Sequence, residues 1–287
     1  MAEQQNNREN VIFLIGPVGV GKSLVSSELG RRNNLPVITT DIMRHCPRKI
    51  EDINARLNRT KKLIEEKEQV LSLTKDEKER ENIKAEISKL KNDIWGCNRE
   101  IEMRTLLPNL PNYEDLGFNG EASNFLRDKF GEVAWHFYQK QFENQLLQAL
   151  TEQLNFPCIV DMGGGMAVSI DEEYAKFDKK FREINEQLYL KNFKLDKIGF
   201  NVIEKTLQPF NNVIELKLPK GYEQDNKKAR ENGMLNELFV KSGQYHKLAK
   251  TTEVVSGIIE SDKVNWKNLS LLCEEIESLT GINKAEL

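Results

Sequence analysis

Residues 11–29 read VIFLIGPVGVGKSLVSSEL, an apolar run that leads straight into a glycine-rich turn. Val11 to Ile15 is short and unbroken, the pattern of a strand buried on both faces of a parallel sheet. Gly16 to Ser23 then matches G-x-x-x-x-G-K-[ST], the Walker A pattern, at every defined position. Glycines there let backbone N–H groups turn inward on phosphate oxygens, and a helix N-terminus behind them adds a favourable dipole. A strand before the turn and a helix over 22–33 after it commit the chain to an α/β layer. The pattern assigns Gly16, Gly19, Val20, Gly21, Lys22, Ser23 and Leu24 to nucleotide binding. Lys22 would reach the β- and γ-phosphates, and Ser23 would ligate Mg²⁺, so ATP and Mg²⁺ are the expected cofactors.

The remaining pattern extends that layer. LPVITTD at 35–41 reads as a second strand ending on an acid, and FPCIVDMGGG at 156–165 as a third ending in glycines. NNVIELKLP at 211–219 and TTEVVSG at 251–257 read as a fourth and fifth. Helical spacing falls at 123–154, 171–192, 199–208, 234–240 and 265–279. In the last, Trp266, Leu269, Leu272, Cys273, Ile276 and Leu279 are expected to face inward. Strands alternating with helices predict a five-stranded, mostly parallel sheet with helices on both faces. Ligands of such sheets sit at the carboxyl ends of the strands. The glycine turn, Asp41 and the 163–165 glycines all fall there.

Residues 48–104 break the alternation. Ile83, Ile87, Leu90, Ile94, Cys97 and Ile101 follow steps of four and three, a heptad seam, and Ile53, Leu57, Thr60, Ile64, Lys67 and Leu71 follow the same steps less purely. Thr74 and Glu77 have capping-box spacing, so a second helix is expected to start there. The reading is an inserted antiparallel, coiled-coil-like hairpin over 48–104, each arm roughly 37 Å long at a rise of 1.5 Å per residue. It divides a core of 11–47 and 105–287, with 1–10 as a disordered N-terminus. The stretch 106–121, rich in proline, asparagine and glycine, reads as a linker.

Composition narrows the partners. Charged residues make up 30% of the chain but the net charge is −3, which does not favour a nucleic-acid backbone as partner. The four cysteines include no C-x-x-C pair and read as reduced structural thiols. Residues 1–10 are polar, which argues against a Sec-type signal in them, and no stretch approaches a membrane span. The expectation is a cytoplasmic protein. His45 and His246 lack metal-ligand spacing and read as surface or packing residues.

Mg²⁺ beside a phosphate cradle calls for an acid at the end of a neighbouring strand. Asp41 and Asp161 both qualify. CIVD at 158–161 has the Walker B pattern of apolar residues closed by an acid, which assigns Asp161 as the metal-linked group.

Together these segments resemble the shikimate kinase family of small-molecule kinases. IFLIGPVGVGKSLVSSELGRRNNLPVITTD is similar to that family's opening. FGEVAWHFYQKQFENQLLQAL resembles its G-E-x-x-F-R-x-x-E helix, DMGGGMAV its glycine turn, and GQYHKLAKTTEVV its late segment before strand five. The resemblance covers about 10–44 and 120–285, and 48–104 has no counterpart in it. It implies ATP-dependent phosphorylation of a hydroxyl on a small polar molecule. It implies Asp41 as the acid beside the acceptor hydroxyl, Gly163, Gly164 and Gly165 as the turn facing the acceptor, and Arg230 as a lid arginine reaching the transferred phosphate.

Four positions depart from the family. His136 and Lys241 occupy the positions of two family arginines, and neither makes the bidentate fork that arginine offers a carboxylate. Thr39 stands where the family has its metal-side acid, while Asp161 is acidic where the family is not. The reading is an altered acceptor site, lined by Asp41, His136, Gly163–Gly165 and Lys241, for a molecule other than shikimate. An alternative stays open in which the chain binds nucleotide without efficient transfer and uses 48–104 as a protein-binding module. A third keeps the same catalytic residues but acts on a larger acceptor docked by that hairpin.

Overall fold

The computed structural model describes residues 10–41, 49–111, 120–130, 132–163, 165–167, 200–217, 244–249, 254–255, 259–260 and 263–282. These fall into two compact units, one within Met1–Asp41 and Leu116–Leu287, the other within Ile42–Asp115.

The first unit is built on an all-parallel sheet. β1 (Val11–Ile15) lies between β3 (Cys158–Asp161) and β4 (Asn212–Lys217), and β2 (Val37–Thr39) pairs with β3 on its other edge. Ile12 faces Ile159 and Asn212 across the ladders, and Ile38 faces Val160. Within the expected strand at 251–257, β5 (Val254–Val255) pairs in parallel with Leu216 and Lys217 at the end of β4. Ile259–Glu260 and Lys263–Val264 form a separate antiparallel pair, β6 and β7.

Successive residues of a strand point to opposite faces. Ile12 and Phe13 are both fully buried, so both faces of the sheet are covered. On one face Ile12, Leu14, Ile159, Ile214 and Leu216 meet Val25 and Leu29 of α1 (Lys22–Asn33) and Leu269, Leu272, Cys273 and Ile276 of the helix Trp266–Thr280. On the other, Phe13 meets Phe210 edge to face at 4.8 Å between ring centroids. Each such side chain contributes about 1.5–3 kcal/mol by leaving water.

Several helices differ from the sequence pattern in instructive ways. Within the stretch expected to be helical at 123–154 the described residues are helical over Gly120–Phe130 and Glu132–Gln153, and residue 131 lies outside them. Trp266 and Leu279, expected to face inward, are 68% and 37% exposed. They lie in the first and last turns of their helix, beyond the apolar surface that receives its middle. The short helix expected at 199–208 spans Phe200–Leu207, and Gln244–Leu248 adds another. The expected helices at 171–192 and 234–240 lie outside the described residues.

The second unit holds α2 (Ile50–Leu73) and α3 (Glu77–Leu106). Arg56 with Asp93 and Lys67 with Glu86 pair across them, an inverse order that makes the two helices antiparallel. The apolar seam is the heptad one: Ile53, Leu57 and Cys97 form one cluster, and Ile64, Ile83 and Ile87 another. Thr60, polar inside that seam, donates to Asp93 Oδ2 at 3.1 Å, which offsets its burial. The capping signal is displaced from its expected place. Asp76, not Thr74, is the N-cap of α3, accepting from Glu79 N–H at 2.8 Å. Aspartate outranks threonine as a cap, and the Thr74 hydroxyl instead donates back to Val70 O at the end of α2.

The remaining helices are numbered in chain order: α4 (Gly120–Phe130), α5 (Glu132–Gln153), α6 (Phe200–Leu207), α7 (Gln244–Leu248) and α8 (Trp266–Thr280). Cys97, Cys158 and Cys273 are buried, and burial pushes the Cys158 thiol up to about 12. A thiol so protonated is a packing group, not a nucleophile. Among the described residues no helix is long and apolar enough to cross a membrane.

Candidate functional site

The loop between β1 and α1 owes its shape to glycine. Gly16, Gly19 and Gly21 hold φ of 138°, 84° and 94°, a region that side-chain-bearing residues rarely enter. At Gly16 there is a second requirement, since a Cβ would lie 2.3 Å from the backbone oxygen of Leu216 on the adjacent strand. Gly21 is the left-handed N-cap of α1, so the first turn opens without a side-chain cap. Its leading N–H groups point out of the helix toward the loop, where partial positive charge gathers.

Lys22 folds back over this loop. It is 7% exposed, and its Nζ donates to Gly16 O and Pro17 O, each at 2.9 Å. The ammonium therefore sits within the loop and not in solvent. Asp161, the last residue of β3, is 3% exposed and accepts a hydrogen bond from Ser23. Burial raises its carboxyl above the usual range; the Lys22 charge and the Ser23 bond oppose the rise, and Asp41 adds to it. Lys22, Ser23, Asp41 and Asp161 thus share one electrostatic neighbourhood at the carboxyl ends of the strands.

The strand expected to end on Asp41 stops two residues earlier, at Thr39, and Thr40 and Asp41 take helical geometry. That bend turns the buried Thr40 hydroxyl toward β3. Its Oγ1 accepts from Gly163 N–H at 2.8 Å and donates to Asp161 O at 3.3 Å. The exposed Asp41 then lies against Gly163, where a Cβ would come 2.1 Å from Oδ1. At the other end of this turn, Met166 N–H bonds Gly163 O at 2.9 Å. The Lys140 ammonium, on α5, donates to Gly165 O and to Glu143 Oε2.

The structure therefore brings together Gly16, Gly19, Val20 and Gly21 of the β1–α1 loop and Lys22, Ser23 and Leu24 of the first turn of α1, with Asp41, Asp161 and Gly163 beside them. His136 lies on α5, but its side chain, together with Gly164, Arg230 and Lys241, lies outside the described residues. His246 is exposed on α7. Thr40 and Lys140 do not stand out in the sequence. The only trace of Lys140's role is its place four residues after His136, on the same helical face.

The donor set suits a hard cation. Mg²⁺ keeps several waters and takes one or two protein oxygens beside phosphate. The Ser23 hydroxyl and Asp161 carboxylate, already hydrogen-bonded to each other, supply such oxygens. Among the described residues no group of three or more His, Cys, Asp or Glu side chains forms a metal cluster.

No family model, no curated protein and no solved structure matches this chain.

Proposed function

We propose that the protein is an ATP-dependent phosphotransferase, shikimate-kinase-like in fold, that phosphorylates a hydroxyl of a small polar molecule other than shikimate. The observation that carries this reading is the convergence of Lys22, Ser23, Asp161 and Asp41 where the strands end. In it the β1–α1 segment is a P-loop, and a nucleotide's phosphates exchange with the Gly16 and Pro17 carbonyls for the Lys22 ammonium. Bound Mg²⁺ would supply charge neutralisation at the phosphates, held through Ser23 and Asp161. Asp41, exposed beside the glycine turn, orients the acceptor hydroxyl and takes its proton as the phosphoryl group moves. Transfer of this kind depends on positioning and charge, so one well-placed acid suffices. His136 and Lys241 line the acceptor side, and Arg230 serves the lid. The full core is read as a five-stranded P-loop kinase sheet, with α2 and α3 as an inserted hairpin.

The test is ATP turnover across polyols, sugars, nucleosides and shikimate, with Mg²⁺ titrated. Transfer to a non-shikimate hydroxyl supports the reading. Shikimate phosphorylation at ordinary kinase rates would overturn the changed acceptor.

A second reading has its own support. The α2–α3 pair forms a compact unit with two apolar clusters of its own. Under it the chain binds nucleotide and the helix pair recruits a protein partner. Deleting 50–102 should then abolish partner capture and spare ATP binding.

A further inference from the structure

The turn that Met166 N–H closes onto Gly163 O has no side chain to pack from Gly163 or Gly165, and glycine loses more backbone freedom on ordering than any other residue. Bonds to its backbone help to hold it. Thr40 takes the N–H of Gly163 at one end. At the other end, Lys140 takes the carbonyl of Gly165, reaching across from α5.

Lys140 is an unusual anchor. Its side chain is 12% exposed and that of Glu143 is 4% exposed, with Nζ and Oε2 2.9 Å apart. Burying an ion pair is costly, and replacing both partners with apolar groups is often neutral or stabilising. Stability alone therefore gives little reason for this pair. What it provides is a directed donor: Glu143, one helical turn along, fixes the ammonium, and the ammonium fixes the Gly165 carbonyl. A peptide is planar, so holding that carbonyl sets the direction of the Met166 N–H, which closes the turn onto Gly163 O at 2.9 Å. Gly163 in turn lies against Asp41.

We infer that Lys140, held by Glu143, is a positioning residue that sets the acceptor-side turn against Asp41; this rests on the phosphotransferase reading above.

The test compares Lys140→Met, Lys140→Arg and the double variant Lys140→Met/Glu143→Leu, the last removing both charges of the pair together. The first readout is amide hydrogen exchange at Met166 and Ala167. The second is the KM for the acceptor against kcat and the KM for ATP. Exchange should quicken by about tenfold or more in Lys140→Met and in the double variant, and return toward wild type in Lys140→Arg. Acceptor KM should rise by about tenfold, with ATP KM within about twofold. Unchanged exchange overturns the tether. Faster exchange in an active enzyme with unchanged acceptor KM overturns the positioning role. If no hydroxyl compound is phosphorylated by the wild type, the phosphotransferase reading fails and the positioning role falls with it, while the exchange readout still decides the tether.

Discussion

Asp41 and Gly163 are packed so closely that a methyl group on Gly163 would lie 2.1 Å from Asp41 Oδ1. The obstructed group is the tip of an exposed side chain, which can swing away at low cost. Gly163→Ala should therefore leave the fold intact and displace the acid. Under the proposed function we expect a melting temperature close to wild type, unchanged ATP affinity, and phosphoryl transfer reduced by about 10²-fold, the usual size of the effect when a reacting group is misplaced. Thermal melts beside turnover assays check this. A large fall in melting temperature would show that Gly163 is needed for packing instead.

Gly16 presents the opposite case. A Cβ there would lie 2.3 Å from the Leu216 carbonyl, and its φ of 138° is strained for any other residue. Neither the backbone of β4 nor the dihedral can yield cheaply. Gly16→Ala should cost about 3 kcal/mol of stability, at the upper end of single substitutions. Chemical denaturation measures it, and equal midpoints for variant and wild type would contradict it.

This contrast shows what a single chain discloses. That Gly16, Lys22, Ser23 and Asp161 stand together at the strand ends was legible because local spacing places them: a strand, a turn and a helix start within a few residues, and an acid closes an apolar run. The heptad seam of α2 and α3 was legible for the same reason. Thr40 and Lys140 were not, because each works through a partner more than twenty residues away, on a different element. The Trp266 and Leu279 positions misled because a periodic pattern gives the angle of a side chain about a helix, not how far the neighbouring surface extends. Thr74 misled because two cap-forming residues stand close together, and the stronger, Asp76, wins.

Asp161 ties stability to pH. Its carboxyl is raised in the folded state, chiefly by burial, so the native chain binds that proton more tightly than the unfolded one. Stability therefore falls as pH rises from the ordinary aspartate value of about 3.9 to the raised one, and remains lower above it. Asn keeps an acceptor for Ser23 and carries no charge to desolvate. Asp161→Asn should melt higher than wild type at about pH 7, with a margin that shrinks toward pH of about 4. The same variant should lose the Mg²⁺ dependence of ATP affinity. Melts across pH without nucleotide, and ATP titrations with and without Mg²⁺, check the two halves separately. A variant less stable at neutral pH, or one whose ATP affinity still responds to Mg²⁺, would count against this account of the acid.

The helix that carries the cradle is braced at its far end. Arg32 donates to Glu28 Oε1 at 2.9 Å on α1 and to Ser270 Oγ at 2.7 Å on α8, and Asn33 donates to Glu277 Oε1 at 2.9 Å. Hydrogen bonds from Arg31 and Arg32 hold the Glu28 carboxyl down at about 2. A depressed carboxyl contributes stability that is complete above its unfolded value of about 4.5 and disappears as pH falls through the folded one. Glu28→Gln removes that contribution at all pH values. The variant should melt a few degrees below wild type near neutrality, since partly exposed ion pairs are screened and individually weak. The gap should close as pH falls from about 4.5 to about 2. ATP affinity should change little, because this brace lies at the end of α1 opposite the cradle. A melting difference that stays constant through that acid window would assign Glu28 to packing rather than to its charge.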